Sequence, residues 1–338
     1  MTGISDSFNR PINYLRISVT DRCNLRCIYC MPAEGIRLLP HSEILTYEEI
    51  TTIARRAAEL GINKLRLTGG EPLVRANLPN LVAMLAEIDT VDDIAMTTNG
   101  TLFKDYAHEL KQAGLKRVNI SLDSLNQDKF ELITRHRKLS EVLQGIEAAK
   151  ACGLNPVKIN MVVMRGINDD EVMDFANLTI TEGWHVRFIE LMPFAIDNPP
   201  ECHSTGGKAN LHHQFMSAHE IKEQLSSLGE LEPCLPITGN GPAKYFRFSK
   251  ANGTIGFITP ISEHFCFNCN RIRLTAEGKL RPCLLSDEEI DIRQPLRHGA
   301  STEKLKQVIA EAIQKKPRKH HLSQEPGPKK RFMSQVGG

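Results

Sequence analysis

The chain has 338 residues, with 42 Lys and Arg against 40 Asp and Glu and a net charge of +2, so no bulk field draws it to nucleic acid or to a membrane surface, and any basic site must be local. Hydrophobic residues make up 41%, enough to build a real core. No apolar run approaches the ~18 residues that span a bilayer, and the opening MTGISDSFNR has neither a signal-peptide nor a transit-peptide pattern, which sets the expectation of a cytoplasmic protein without membrane or nucleic-acid partners.

From residue 14 to 191 one unit recurs: a short β-branched run, a helical pattern and a glycine. The predicted strands are residues 15–19, 64–68, 93–97, 117–122, 157–163 and 186–191. The first helix opens on a capping box, Thr46 with Glu49, and stops at Gly61; later helices stop near Gly114, Gly153 and Gly183. Strands alternating with helices imply a parallel sheet. The predicted fold is therefore α/β, an incomplete (β/α)6 TIM-like barrel, with a C-terminal β-containing segment. A Gly- and Pro-rich stretch near 235–243 divides residues 1–235 from 236–338.

Unusual residues crowd the strand ends: a cysteine loop after the first, Gly69-Gly70-Glu71-Pro72 after the second, Thr97-Thr98-Asn99-Gly100 after the third, Ser121-Leu122-Asp123-Ser124 after the fourth and Glu190-Leu191-Met192-Pro193 after the sixth. In parallel (β/α) folds these ends form the active face. Strand alternation adds a second clue. If Leu15, Ile17, Val19, Leu65, Leu67, Val118, Ile120 and Leu122 face the helices, then Arg16, Ser18, Arg66, Thr68, Asn119 and Ser121 face inward, as do Lys158, Asn160 and Arg187. The interior is expected to be wet and cationic, suited to a polyanion.

Of nine cysteines, six form two tight triplets: Cys23, Cys27, Cys30 and Cys266, Cys269, Cys283. Clustered cysteines in a large chain without secretory features point to metal or redox chemistry; Cys152, Cys202 and Cys234 read as incidental thiols. The first triplet, CxxxCxxC, can hold three irons of a [4Fe–4S] cube and leave the fourth open, whereas structural zinc normally wants four closed ligands and has no fourth nearby in sequence. From spacing alone the second triplet fits a zinc ribbon with His264 equally well.

The CxxxCxxC loop with Tyr29 before its last cysteine, followed by GGEP, resembles the radical S-adenosylmethionine (SAM) superfamily. That resemblance implies SAM contacts at Tyr29, Gly70, Ser121 and Met192. FCFNCNRIRLTAEGKLRPCL, around the second triplet, resembles the C-terminal segment of the GTP 3′,8-cyclase family, the lyases of molybdenum cofactor biosynthesis. The likeness runs from about Tyr14 to the last residue. It implies a second [4Fe–4S] cluster whose free iron meets guanine, and GTP ligands at Arg16, Arg66, Thr97, Lys158, Arg271, Ile272 and Arg273, with Lys64 and Arg187 as further phosphate contacts. Neither GxxxxGK[ST] nor a post-strand GxGxxG offers another nucleotide site.

The same resemblance brings the terminal Gly337 and Gly338 into the active site, beside Arg16, Arg66, Lys158, Arg271 and Arg273 as the catalytic set. It implies an external one-electron reductant and a downstream cyclic pyranopterin monophosphate synthase as partners, and leaves a homodimer open. A longer, more polar stretch at 196–215, with Cys202, His203, His212 and His213, departs from the family and reads as a solvated insertion; the basic segment before the terminus reads as a linker. Two other classes remain at this stage: a radical SAM enzyme acting on a peptide or RNA base, and a non-catalytic zinc protein.

Overall fold

A computed structural model describes residues 3–192, 194, 211–239, 241–320 and 331–337. The elements in chain order are β1 Tyr14–Ser18, α1 Tyr47–Glu59, β2 Lys64–Thr68, α2 Leu78–Ala86, β3 Asp93–Thr98, α3 Phe103–Gln112, β4 Arg117–Ser121, α4 Gln127–Thr134, α5 Leu139–Ala151, β5 Lys158–Val163, α6 Val172–Thr181 and β6 His185–Glu190. Each expected strand is present, within one residue at either end. The capping box at Thr46 and Glu49 forms, and Gly61, Gly114, Gly153 and Gly183 all adopt positive φ at helix ends. The C-terminal elements are α7 Ala218–Leu225, β7 Leu231–Cys234, β8 Lys244–Phe248, β9 Thr254–Ile258, β10 Arg271–Leu274, β11 Lys279–Arg281, β12 Ile290–Asp291, α8 Arg293–Arg297 and α9 Thr302–Gln314. Among the described residues, no helix is long and apolar enough to cross a membrane.

One sheet takes in all these strands, in the order β12-β11-β10-β1-β2-β3-β4-β5-β6-β9-β8-β7. The C-terminal segment thus builds onto both edges of the barrel sheet: β10 runs parallel to β1, and β9 parallel to β6. The sheet curls. Arg187 on β6 lies within electrostatic reach of Arg66 on β2 and of the Tyr14 hydroxyl on β1, although in a flat sheet those strands would stand roughly 20–25 Å apart at ~4.8 Å per step.

The outer face carries the core. Leu15, Ile17, Leu65, Leu67, Val118, Ile120, Ile159, Met161, Val186 and Phe188 pack with the helices in one apolar cluster, together with Val19 and Leu122 just beyond the strand ends. The alternate residues therefore face the hollow, as alternation requires.

Candidate active site between two cysteine sets

Strand direction fixes where the two cysteine sets lie. Cys23, Cys27 and Cys30 follow the C-terminal end of β1, whereas Cys266 and Cys269 precede the N-terminal end of β10. Because β1 and β10 are parallel neighbours, the triplets sit at opposite mouths of the hollow. Cys283 joins the second set because β11 runs antiparallel to β10 and delivers it back to the same end. The five-residue strand between the mouths separates them by roughly 15 Å at ~3.3 Å per residue.

Each set has the chemistry of a cluster site. Burial raises the thiol pKa of Cys27, and neighbouring Cys30 and Cys23 raise it further; Cys266 is raised by burial and by Cys283 and Cys269. Among the described residues, no three His, Cys, Asp or Glu side chains converge as the ligands of one metal ion do. A cube, which takes each thiolate on a separate iron, does not require them to. Hydrogen bonds to sulfur are in place: Leu25 N and Asn99 Nδ2 donate to Cys23 Sγ (3.4 and 4.0 Å), and Lys316 Nζ donates to Cys269 Sγ (3.6 Å). Burial would raise the Cys269 thiol, but Arg271 and Lys316 outweigh it and hold its pKa at about 6, so it is a ready thiolate.

Between the mouths the wall is cationic. The register puts Arg273, Arg16 and Arg66 side by side across β10, β1 and β2, so three guanidinium stems share a row about 10 Å wide. Lys158 and Arg187 close the arc from β5 and β6. Arg66, Lys158, Arg187 and Arg273 are all buried. Burial first, then Arg187, Arg117 and Arg66, pull the Lys158 pKa down to about 6. Burial and Arg271 bring Arg273 to about 10, and burial together with Arg273 depresses Arg16 well below its usual range.

The partners that hold these cations are mostly neutral. Tyr14 Oη accepts from Arg66 Nε, Thr97 Oγ1 accepts from Arg66 Nη1 (3.2 Å), and the Thr238 carbonyl accepts from Lys158 Nζ (2.9 Å). Arg117 is the exception, paired with Asp93. Arg187 Nε and Nη2, Arg273 Nε, and the Asn119 and Asn160 Oδ1 atoms are buried without a hydrogen-bond partner. The arginine donors among these are expensive to bury unless a ligand meets them, and a triphosphate offers the acceptors they lack; the two Asn oxygens call for donors instead.

The C-terminal tail enters from the mouth that carries Cys23, Cys27 and Cys30. The Gly337 carbonyl accepts from Arg16 Nη2 (2.9 Å) and Nε (3.3 Å). A side chain at Gly337, which has φ of 72°, would run into Thr68 Oγ1, so only glycine reaches this depth. Met333 and Val336 pack on Cys30, Met192 and Phe194. Gly338 and Pro193 lie outside the described residues, as do residues 195–210 with Cys202 and His203.

Several readings from the sequence change in detail. Ile272 sits on β10 between Arg271 and Arg273, but its side chain is in the apolar core, so it offers the hollow no side chain; alternation forbids all three facing one way. Gly70 is required by the chain itself, because a Cβ there would strike the Arg22 carbonyl. Tyr29 donates to Asp123 Oδ2 (2.6 Å), and Ser121 and Met192 are half-buried beside that loop. Buried Glu71 of GGEP, raised to about 7 by burial, accepts from Thr98 Oγ1 (2.7 Å) and Asn99 N (2.6 Å) and so ties the β2 and β3 ends together. His264, the fourth zinc ligand of the ribbon reading, instead meets His320 (3.0 Å).

Sequence reasoning missed Tyr14 and Tyr245, which lie beneath Arg66 and Lys158 at 5.7 and 5.5 Å. It also missed Gly256, whose absent side chain leaves room for the Arg187 stem. Tyr14 shares the inward parity of Arg16 and was legible; Tyr245 and Gly256 depend on β8 and β9 joining β6, which no local pattern announces.

Comparison with known proteins agrees with this geometry. Residues 17–179 match the radical SAM superfamily, and residues 184–322 match the family described as Molybdenum Cofactor Synthesis C. In fold, the chain is similar to Streptococcus suis SuiB bound to S-adenosylmethionine, with a TM-score of 0.57 at 14% identity over 84% of this chain; it spans 64% of SuiB's length. The GTP 3′,8-cyclase of Desulforamulus reducens is 52% identical over 334 residues, 98% of this chain and 99% of that protein. That of Pelotomaculum thermopropionicum is 52% identical over 336 residues, 99% and 100% of the two chains. With identity at that level from end to end, and with both matched segments in the order the barrel and its edge strands require, the chain belongs to the GTP 3′,8-cyclase family.

Proposed function

We propose that this chain converts GTP to (8S)-3′,8-cyclo-7,8-dihydroguanosine 5′-triphosphate, the first step of molybdenum cofactor biosynthesis, using SAM and two [4Fe–4S] clusters. The observation that carries this reading is the row Arg273, Arg16 and Arg66 with Lys158 and Arg187, all but Arg16 buried, set between two thiol triplets at opposite mouths.

Cys23, Cys27 and Cys30 hold the SAM-binding cluster, and Cys266, Cys269 and Cys283 the second. When bound, the clusters and SAM supply the electrons and the carbon-centred radical chemistry that joins ribose C3′ to guanine C8. The chain supplies position. Arg16, Arg66, Lys158, Arg271 and Arg273 clamp the triphosphate, with Arg187 and Lys64 adding charge and Thr97 fixing Arg66. Guanidinium forks suit phosphate because they donate paired, charge-assisted bonds. Phosphates anchored on the wall leave the ribose facing the SAM mouth and the base facing the second triplet, which is the orientation the bond requires.

Tyr29, Gly70, Ser121 and Met192 line the SAM side. Tyr29 is braced there by Asp123, whose carboxyl burial raises to about 6. The tail closes that end, with the Gly337 carbonyl on Arg16, and it keeps water from the reacting carbons. The Thr238 carbonyl, in the loop before β8, holds Lys158 in place. A reductant outside the chain feeds the first cluster, and a cyclic pyranopterin monophosphate synthase in the same cytoplasm takes the product.

The test is turnover. Anaerobic protein given SAM, a strong reductant and GTP is expected to yield the cyclised triphosphate and 5′-deoxyadenosine together, as seen by mass spectrometry. 5′-Deoxyadenosine formed while GTP is left intact would contradict the reading.

A further inference from the structure

Lys316, just past the end of α9, is buried, and all three of its ammonium hydrogens have an acceptor. Nζ donates to the Arg271 carbonyl (2.7 Å), to the Pro282 carbonyl (2.9 Å) and to Cys269 Sγ (3.6 Å). Arg271 opens β10 two residues after Cys269, and Pro282 directly precedes Cys283. One ammonium therefore ties the segment carrying the first two cysteines of the second set to the segment carrying the third.

The turn that carries this lysine is itself held. Arg10 Nη2 donates to the Pro317 carbonyl (2.8 Å) and Nη1 to the Arg318 carbonyl (3.1 Å), and Nη1 also donates to the Cys266 carbonyl (2.6 Å). Asp6 Oδ2 takes the Arg10 Nε (2.6 Å). The N-terminal arm and the turn after α9 thus grip all three cysteines. An ammonium so deeply buried is stable only against compensating negative charge, and the carbonyls supply dipoles, not charge. Thiolates bearing a cluster supply the charge.

We propose that Lys316 is a positioning residue of the second cluster: it sets the spacing of Cys269 and Cys283 and, through its charge and its N–H···S bond, raises that cluster's reduction potential. The proposal rests on the reading that Cys266, Cys269 and Cys283 hold a cluster. Charge and hydrogen bonds at the sulfurs are established determinants of such potentials, and groups outside the ligand set orient the ligands.

The test compares anaerobic wild type with Lys316→Met, which keeps the stem and removes the charge, and with Lys316→Arg, which keeps the charge. The readouts are a redox titration of the reduced-cluster EPR signal that responds to GTP, and the rate at which a chelator strips its iron. Lys316→Met is expected to move the midpoint to more negative values and to release that iron about tenfold faster, the scale on which a buried charged hydrogen bond acts; Lys316→Arg is expected to keep the midpoint near wild type. Retained SAM cleavage shows that Lys316→Met is folded. An unchanged midpoint in Lys316→Met overturns the proposal, whether or not iron is lost faster. A wild type in which no cluster signal responds to GTP would instead sink the site reading, and the proposal with it.

Discussion

At the scale of single residues, Arg187 and Arg273 keep buried N–H donors without a hydrogen-bond partner. Arg66 is buried and anchored by Tyr14 and Thr97, so it meets a phosphate without first being ordered. Removing its charged hydrogen bond in Arg66→Ala costs roughly 1.5–3 kcal/mol, and GTP affinity is expected to fall about tenfold to a hundredfold or more by equilibrium titration; an unchanged affinity would remove Arg66 from the site. Lys158 makes the pH behaviour specific. Its pKa stands at about 6 without ligand, and phosphate raises it, so above that value the amine takes up a proton as GTP binds. GTP affinity is therefore expected to fall as pH rises between about 7 and 9, and calorimetry in buffers of different ionisation enthalpy reads the proton directly. Lys158→Met abolishes that uptake; wild type binding without proton uptake would place the amine away from phosphate.

At the scale of elements, the chain up to residue 191 was legible because its signals are local. The β-branched runs fix the strands within a residue, the capping box at Thr46 and the terminating glycines mark one helix start and four helix ends, and alternation along β1 and β2 sends Arg16 and Arg66 inward. What was not legible is long-range. Nothing near β9 or β10 says that they will pair with β6 and β1, yet those pairings bring Arg273 beside Arg16 and put Gly256 under Arg187. Ile272 stands between two arginines that face the hollow while its own side chain joins the core, so any part it takes in the ligand set falls to its backbone. The tail is the element most open to test. Gly337→Ala puts a Cβ into Thr68 Oγ1 at a positive φ, so turnover is expected to fall at least about tenfold, with iron content and melting temperature unchanged. Undiminished turnover would mean that the tail's place beside Arg16 has no part in the reaction.

At the scale of the whole molecule, a closed eight-stranded barrel fills its centre with branched apolar side chains. Here the sheet stays open, the core lies outside it, and the hollow keeps Arg and Lys. The parallel direction of β1 and β10 then does for the two cysteine triplets what no local motif could, sending one to each mouth. The most direct measurement is the iron and acid-labile sulfide of the anaerobically purified chain, alongside the Cys23/Cys27/Cys30→Ala and Cys266/Cys269/Cys283→Ala variants. Two independent cubes predict that each variant keeps half of the wild-type iron and sulfide. A variant that keeps all of it, or a wild type carrying a single cube's worth, would contradict the account.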